Sequence, residues 1–321
     1  MSKTSTDRVR HTLNGPTMGT RWSAVIHAAG GFDIAAARQA LQAAVDEVDA
    51  QMSTWRPDSD LMRLNRAAVG ETVAVPPALL AVLTLALAIG RTSGGAFDIG
   101  VGDVISAWGF GPDAAEPALI RAALAARRPP AFEAIELGSG TVRKLSPLRL
   151  DLNGIAKGYG VDRLAETLAG LGIDRGLVGI DGEIRAIGTR DDDEGWTIAV
   201  EQPDPDRRAP HSRLWLATGA VATSGDYRHW VEVQGRRLSH TVDPRRGAPL
   251  PDAPASVTVL APTCAAADAW ATALMVLGPE NGGALAVRQG LDALFLLRGK
   301  DGRLRARGFG PVFELQQGNH S

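Results

Sequence analysis

The stretch LRLDLNGIAKGYGVDRLAETL, Leu148 to Leu168, decides how the rest of the chain reads. Leu148, Leu150 and Leu152 alternate with polar residues, which is the period of a half-buried strand. Gly154, Gly158 and Gly160 then mark a turn, because glycine reaches backbone conformations closed to other residues. Val161, Leu164, Ala165 and Leu168 recur at helical spacing and predict an amphipathic helix. A helix that starts behind a glycine-rich turn presents unpaired N–H groups and a positive dipole end, which suits a phosphate. Lys157 adds a cation in the same turn. No Gly-Lys-Ser/Thr follows, so this is not a Walker A loop, and the spacing is not that of G-x-G-x-x-G either. Taken alone, the stretch is equally an ordinary strand-to-helix connection.

Upstream, residues 1–14 are polar and are expected to be loose, with one domain over residues 15–321. Ile34, Ala37, Leu41, Val45 and Val48 predict a helix from Asp33 to Met52, with Asp33 as N-cap. Pro76 to Arg91 reads as a buried apolar helix. Ser93 to Asp98 reads as a sharp glycine turn that exposes a carboxylate. Downstream, Gly176–Ile180 and Glu183–Gly188 predict a hairpin through Asp181-Gly182. Ala255–Leu260 predicts a strand, and Thr263–Leu277 and Pro279–Gln289 predict two helices. Short strands with hairpin-like connections favour an α+β fold, a largely antiparallel β core flanked by helices, over a doubly wound parallel sheet.

Composition narrows the function. The 321 residues are 45% hydrophobic and 22% charged, as in a globular protein with a sizeable core. A formal net charge of −2 leaves no electrostatic footprint for nucleic acid or an anionic membrane, and 5% aromatics argue against base-stacking platforms. The single cysteine, Cys264, excludes an intrachain disulfide and reads as a buried, inert thiol. The apolar run from Ala78 to Ile89 is shorter than the about 20 residues a membrane span needs. MSKTSTDRVRHTLNG has no apolar core and no lipid-anchor cysteine, so a cytoplasmic location is expected, or a periplasmic one if the chain is trimmed.

Three places carry candidate chemistry. Asp268 and Thr272 are four apart on a predicted helix and share a face that is otherwise small or apolar. Hard oxygens of this kind suit Mg²⁺, which takes few protein ligands; a hydrogen-bonded pair in the core is the other reading. His240, in SHTVDP, could shuttle a proton or donate to a phosphate, or it is a structural loop histidine. TSGDYR, Thr223 to Arg228, gathers a hydroxyl, a carboxylate and an arginine in one turn.

The set and order of these pieces are more specific than any one of them. PTMGTRW, STWRPDSDLMRLN, GGAFDIGVGDVISAWGFG, DLNGIAKGYGVDRL, TSGDYRHW, LSHTVDPRRG and ADAWATALMVLG occur in sequence, and the chain resembles the ApbE family of FAD:protein FMN transferases from about Gly15 to about Gly290. The resemblance implies an ApbE-like (T-fold-like) domain that uses FAD as substrate with Mg²⁺ on its pyrophosphate. A Ser or Thr hydroxyl of an acceptor flavoprotein would attack the FMN-side phosphorus, releasing AMP and leaving FMN on a phosphoester. By position it implies Asp268, Thr272 and the Ala156 carbonyl as metal ligands. It implies Met18, Trp55, Ala96, Phe97, Asp98, Asn153, Tyr159 and Val242 as flavin or adenine contacts, Lys157 and His240 as pyrophosphate contacts, and His240 as a group that activates the hydroxyl. Two residues depart from the family pattern: Asn153 stands where many members have glycine, and Arg246 stands where a threonine is usual, adding a charge expected near the phosphates. A Mg²⁺-dependent FAD pyrophosphatase and a flavin-binding protein without turnover are the alternative readings.

Overall fold

The computed structural model describes residues 8–112, 114–190, 194–204, 207–226, 230–233, 236–251, 253–299 and 301–317. Its frame is an eight-stranded sheet. The strands lie side by side in the order Arg8–Thr17, Thr20–Ala29, Gly176–Ile180, Glu183–Ile187, Gly219–Gly225, Ser256–Ala261, Asp292–Arg298 and Leu304–Phe309. Every ladder between them is antiparallel, as the hairpin-rich sequence predicts. The expectation of a loose segment over residues 1–14 fails from Arg8 onward. Arg8 to Thr17 pairs residue for residue with Thr20 to Ala29, so its polar side chains belong to a sheet edge.

Period-2 alternation sends the two faces of the sheet to different partners. Val257, Val259, Ala293 and Phe295 face the main helical core. Leu294, Leu296 and Val221 face the other way, onto Ile198, Val200 and Leu214 of a separate two-stranded ribbon, Trp196–Glu201 with Pro210–Leu216. On the helical side lie Ile34–Met52, Ala156–Gly170 and Cys264–Arg288. Asp33 caps the first of these as expected, its side chain accepting from Ala36 N–H. The two helices predicted after Thr263 form one run, Cys264–Arg288, broken at Gly278, where φ is 72° just ahead of Pro279. Among the described residues no helix is long and apolar enough to cross a membrane.

The Leu148–Leu168 stretch folds differently from its sequence pattern in two respects. Leu148 to Leu152 is not a sheet strand. Its backbone groups are met instead by the Asn65 side chain, which accepts from Leu150 N–H at 2.7 Å and donates to Leu150 C=O at 2.9 Å, and by Ile99 and Gly102. The helix then begins at Ala156, so Gly158 and Gly160 lie inside it and only Gly154 lies in the turn. The two helical glycines answer a packing need. A Cβ on Gly158 would fall 2.4 Å from the Cys264 carbonyl oxygen and 2.8 Å from Asp268 Cβ, and one on Gly160 2.9 Å from Ile180.

Candidate active site

That close approach brings two helix N-termini together, and each is satisfied by the other helix. Asp162 reaches from the Ala156 helix to accept from Cys264 N–H at 2.8 Å and Ala265 N–H at 2.9 Å, while Arg185 steadies it at 2.6 Å. Thr263 Oγ1 takes Ala266 N–H, which completes the first turn of the Cys264 helix. In return Asp268, on the Cys264 helix, accepts from Gly158 N–H at 3.0 Å through Oδ2. The N-terminus of the Ala156 helix is therefore no row of bare N–H groups waiting for a phosphate, as its sequence suggested. A carboxylate already faces it.

Asp268 and Thr272 stand one turn apart in the wall of a cleft of about 1940 Å³. Thr272 Oγ1 lies 3.2 Å from Ser224 Oγ. Asp268 is buried, and burial followed by the nearby Glu183 carboxylate pushes its carboxyl up to about 7, against the pull of Lys157. Lys157 donates to Glu183 at 2.9 Å and lies 3.7 Å from Asp181. Burial would lower the Lys157 ammonium, but the carboxylates of Glu183, Asp268 and Asp181 outweigh it and push it up. Glu183 is itself raised by burial, only partly offset by Lys157, and its buried Oε2 has no hydrogen-bond partner among the described residues. The group thus holds three carboxylates against one ammonium. A part-buried site with excess negative charge and oxygen donors fits a hard divalent cation. Among the described residues no cluster of three or more His, Cys, Asp or Glu has metal-ligand geometry, so protein carboxylates alone would not cage such an ion.

The cleft gathers every residue that the resemblance implies as a metal ligand or a contact of FAD, with one exception. Met18, Trp55, Ala96, Phe97, Asp98, Asn153, Ala156, Lys157, His240, Val242, Asp268 and Thr272 all line it. Tyr159 does not; it packs against the main core, since the helix beginning at Ala156 turns it away from the opening. Asp98 lines the cleft, but it is not an exposed carboxylate. Its Oδ1 accepts from Gly100 N–H at 2.8 Å and Ala131 N–H at 3.1 Å, and burial raises its carboxyl. Trp55 is 62% exposed at the rim, whereas Phe97 is in the core with one edge on the cleft. Arg246 is exposed and does not line the cleft. The tight turn after Asp243 carries it outward, and Arg245 is the residue that pairs with Asp243, at 3.0 Å. Of TSGDYR, Thr223 and Ser224 line the cleft; Tyr227 and Arg228 lie outside the described residues.

Asp151, Asp181 and Glu183 also line the cleft and were not singled out as site residues. Asp181 had a local signal. It occupies the first position of a two-residue hairpin turn with φ 54°, a left-handed conformation that costs a residue with a Cβ. Met18, at the tip of the Arg8–Ala29 hairpin, has φ 44°. Its strand and that of Asp181 are linked through the Trp22–Ile180 pair, so both strained tips line the same cleft.

Fold and site define an α+β enzyme with a large cleft, lined by the aromatic Trp55 and Phe97 and by the acidic group around Asp268. The chain belongs to the ApbE family, whose pattern matches residues 18–295. It is 39% identical over 295 residues to the FAD:protein FMN transferase of Vibrio cholerae serotype O1, covering 90% of this chain and 88% of that one. It is 34% identical over 303 residues to the FAD:protein FMN transferase of Escherichia coli K12, covering 90% and 84%. The solved structure of the flavin transferase ApbE from Vibrio cholerae superposes with a TM-score of 0.84 at 34% identity, covering 96% of this chain and 99% of that one.

Proposed function

We propose that the protein transfers the FMN moiety of FAD to a Ser or Thr hydroxyl of an acceptor flavoprotein. The observation that carries the reading is the buried Asp268, with an excess of carboxylates around it and the half-buried Thr272 one turn away, in a cleft also lined by Trp55 and Phe97. The relatives' activity supplies the substrate. The hydroxyl oxygen attacks the FMN-side phosphorus, the bond to the AMP oxygen breaks, and the hydroxyl proton passes to a base. In-line positioning and charge neutralisation do most of the work in such a transfer.

Within this reading each residue has a task. Asp268, Thr272 and the Ala156 carbonyl would hold Mg²⁺, which supplies neutralisation of charge on the pyrophosphate. Gly158 N–H fixes the Asp268 carboxylate. Glu183 and Asp181 hold Lys157 at the cleft wall, so its charge is shared with them and its pull on a phosphate is moderated. His240 lines the cleft and is the group to take the proton. Trp55 and Phe97 offer flat surfaces to the ring systems of FAD.

The test is incubation of the full chain with FAD and Mg²⁺, with and without an acceptor flavoprotein domain. The readouts are AMP release and covalent flavin fluorescence of the acceptor. A fluorescent acceptor with matching AMP is the expected result. AMP with only free FMN would replace the transferase with a pyrophosphatase, and bound FAD without AMP would leave a binding protein. Asp268→Ala is expected to abolish Mg²⁺-dependent turnover; full activity in that variant removes the metal assignment.

A further inference from the structure

Asp151 and Asn153 form a pair in the cleft wall that the mechanism above does not use. Asp151 is buried, and both of its carboxylate oxygens are committed to a single neighbour. Oδ1 accepts from Asn153 N–H at 2.8 Å, and Oδ2 accepts from Asn153 Nδ2 at 3.0 Å. Asn153, by contrast, is exposed to the cleft that both residues line. An ionised carboxylate can only accept, so it admits one orientation of the facing amide, with NH₂ inward. The amide oxygen is then left on the other side of Cγ, and it makes no hydrogen bond among the described residues. An asparagine free to rotate would offer a cleft ligand a donor or an acceptor. This one offers an acceptor only.

We propose that Asp151 is a positioning residue that locks the Asn153 amide so that its carbonyl reads an N–H donor on a ring of the bound dinucleotide. The proposal rests on the reading that the cleft takes FAD. FAD carries two such donors, the N3–H of the isoalloxazine and the exocyclic amine of the adenine, and the same locked acceptor would serve either. A neutral partner in place of Asp151 would let the amide turn over and present NH₂ to that donor. The result would be a repulsive contact or a compensating flip, and selectivity would be lost.

The experiment uses the full chain with Mg²⁺ and no acceptor protein, and it reads dissociation constants from quenching of flavin fluorescence. The probes are FAD, FAD methylated at N3, and the dinucleotide with hypoxanthine in place of adenine. The proteins are wild type, Asp151→Asn, Asn153→Ala and the double variant. The wild type is expected to disfavour one analogue by roughly fivefold to tenfold, the value of one hydrogen bond. That ratio should fall to about one in both single variants, and the double variant should lose nothing more, because the two residues act as one unit. Discrimination confined to the N3-methyl probe assigns the isoalloxazine; confined to the hypoxanthine probe, it assigns the adenine. An unchanged ratio in Asp151→Asn, additive losses, or a wild type indifferent to both analogues overturns the proposal while leaving the transferase intact. A wild type that binds no FAD overturns the functional reading itself. Asn153→Ala changes an exposed side chain, so the test survives even if Asp151→Asn folds poorly.

Discussion

Single carboxylates in this cleft are held in places where burial works against their charge. The Asp151 carboxyl is raised by burial from the ordinary 3.8 to about 6, despite Asn153 N–H and the Arg149 charge. A raised acid pKa means that the folded state binds the proton more tightly than the unfolded chain does. The associated stability is present below about pH 4 and is lost as pH rises through about 6, a difference of about 3 kcal/mol for two units. Asp151→Asn removes that term. Its melting temperature at pH 7.5 is expected to equal or exceed that of the wild type, and the fall in stability between pH 4 and 6 is expected to shrink; thermal melts across that range check both. Asp181 bears a different cost, a left-handed φ of 54° on a residue with a Cβ. Its partner Lys157 is 3.7 Å away and is held more closely by Glu183. Relief of strain should therefore outweigh the lost ion pair, and Asp181→Gly is expected to stabilise the protein by about 1 kcal/mol in urea unfolding. A lower urea midpoint would mean that the ion pair dominates.

Pairs of elements explain what the sequence pattern could and could not disclose. Helical spacing located Ala156–Gly170 and the split helix after Thr263, because their apolar stripes are local. The same local pattern misread Leu148–Leu152, where the alternating leucines all pack into the main core and, among the described residues, pair with no strand. It also assigned Gly158 to a turn, because nothing in the sequence says that Cys264 will lie against it. The geometry sets two effects in opposition at Gly158. Helix propensity alone would favour alanine there by roughly 1 kcal/mol. A Cβ 2.4 Å from the Cys264 carbonyl oxygen forces two helices apart, and both are tied by Asp162 and Asp268. The clash should win. Gly158→Ala is expected to destabilise by roughly 2 kcal/mol and to weaken Mg²⁺-dependent activity by shifting Asp268. Denaturant unfolding and a Mg²⁺ titration of turnover would check the two effects, and a more stable variant would contradict the close packing.

Across the whole molecule, the cleft is assembled from parts far apart in sequence, which is why motif order revealed more than any single motif. Blocks carrying Met18, Trp55, Phe97, Asn153, His240 and Asp268 converge on one opening, yet a further wall carries no motif of its own. Ala199, Glu201, Asp204, Arg208, Ala209 and Pro210, from the ribbon Trp196–Glu201/Pro210–Leu216 and its connection, supply that wall. The ribbon joins no ladder of the main sheet among the described residues, so side-chain packing holds it in place. Ile198, Val200 and Leu214 rest on Val221, Leu294 and Leu296, together with Phe313 from the Pro311–Gln317 helix. Phe313 is 1% exposed and lies beyond residue 295, outside the matched family span and outside the cleft lining. Truncating it leaves a cavity beneath the ribbon, a loss of about 3–5 kcal/mol for a buried phenylalanine. Because the ribbon has no ladder to fall back on, part of that loss should appear as local loosening before global unfolding. Phe313→Ala is therefore expected to raise the KM for FAD with a smaller change in kcat, and to speed amide exchange in Trp196–Glu201 and Pro210–Leu216 more than in Cys264–Arg288. Uniform acceleration across both regions, with KM unchanged, would mean that Phe313 supports the sheet alone and that the ribbon keeps its place over the cleft without it.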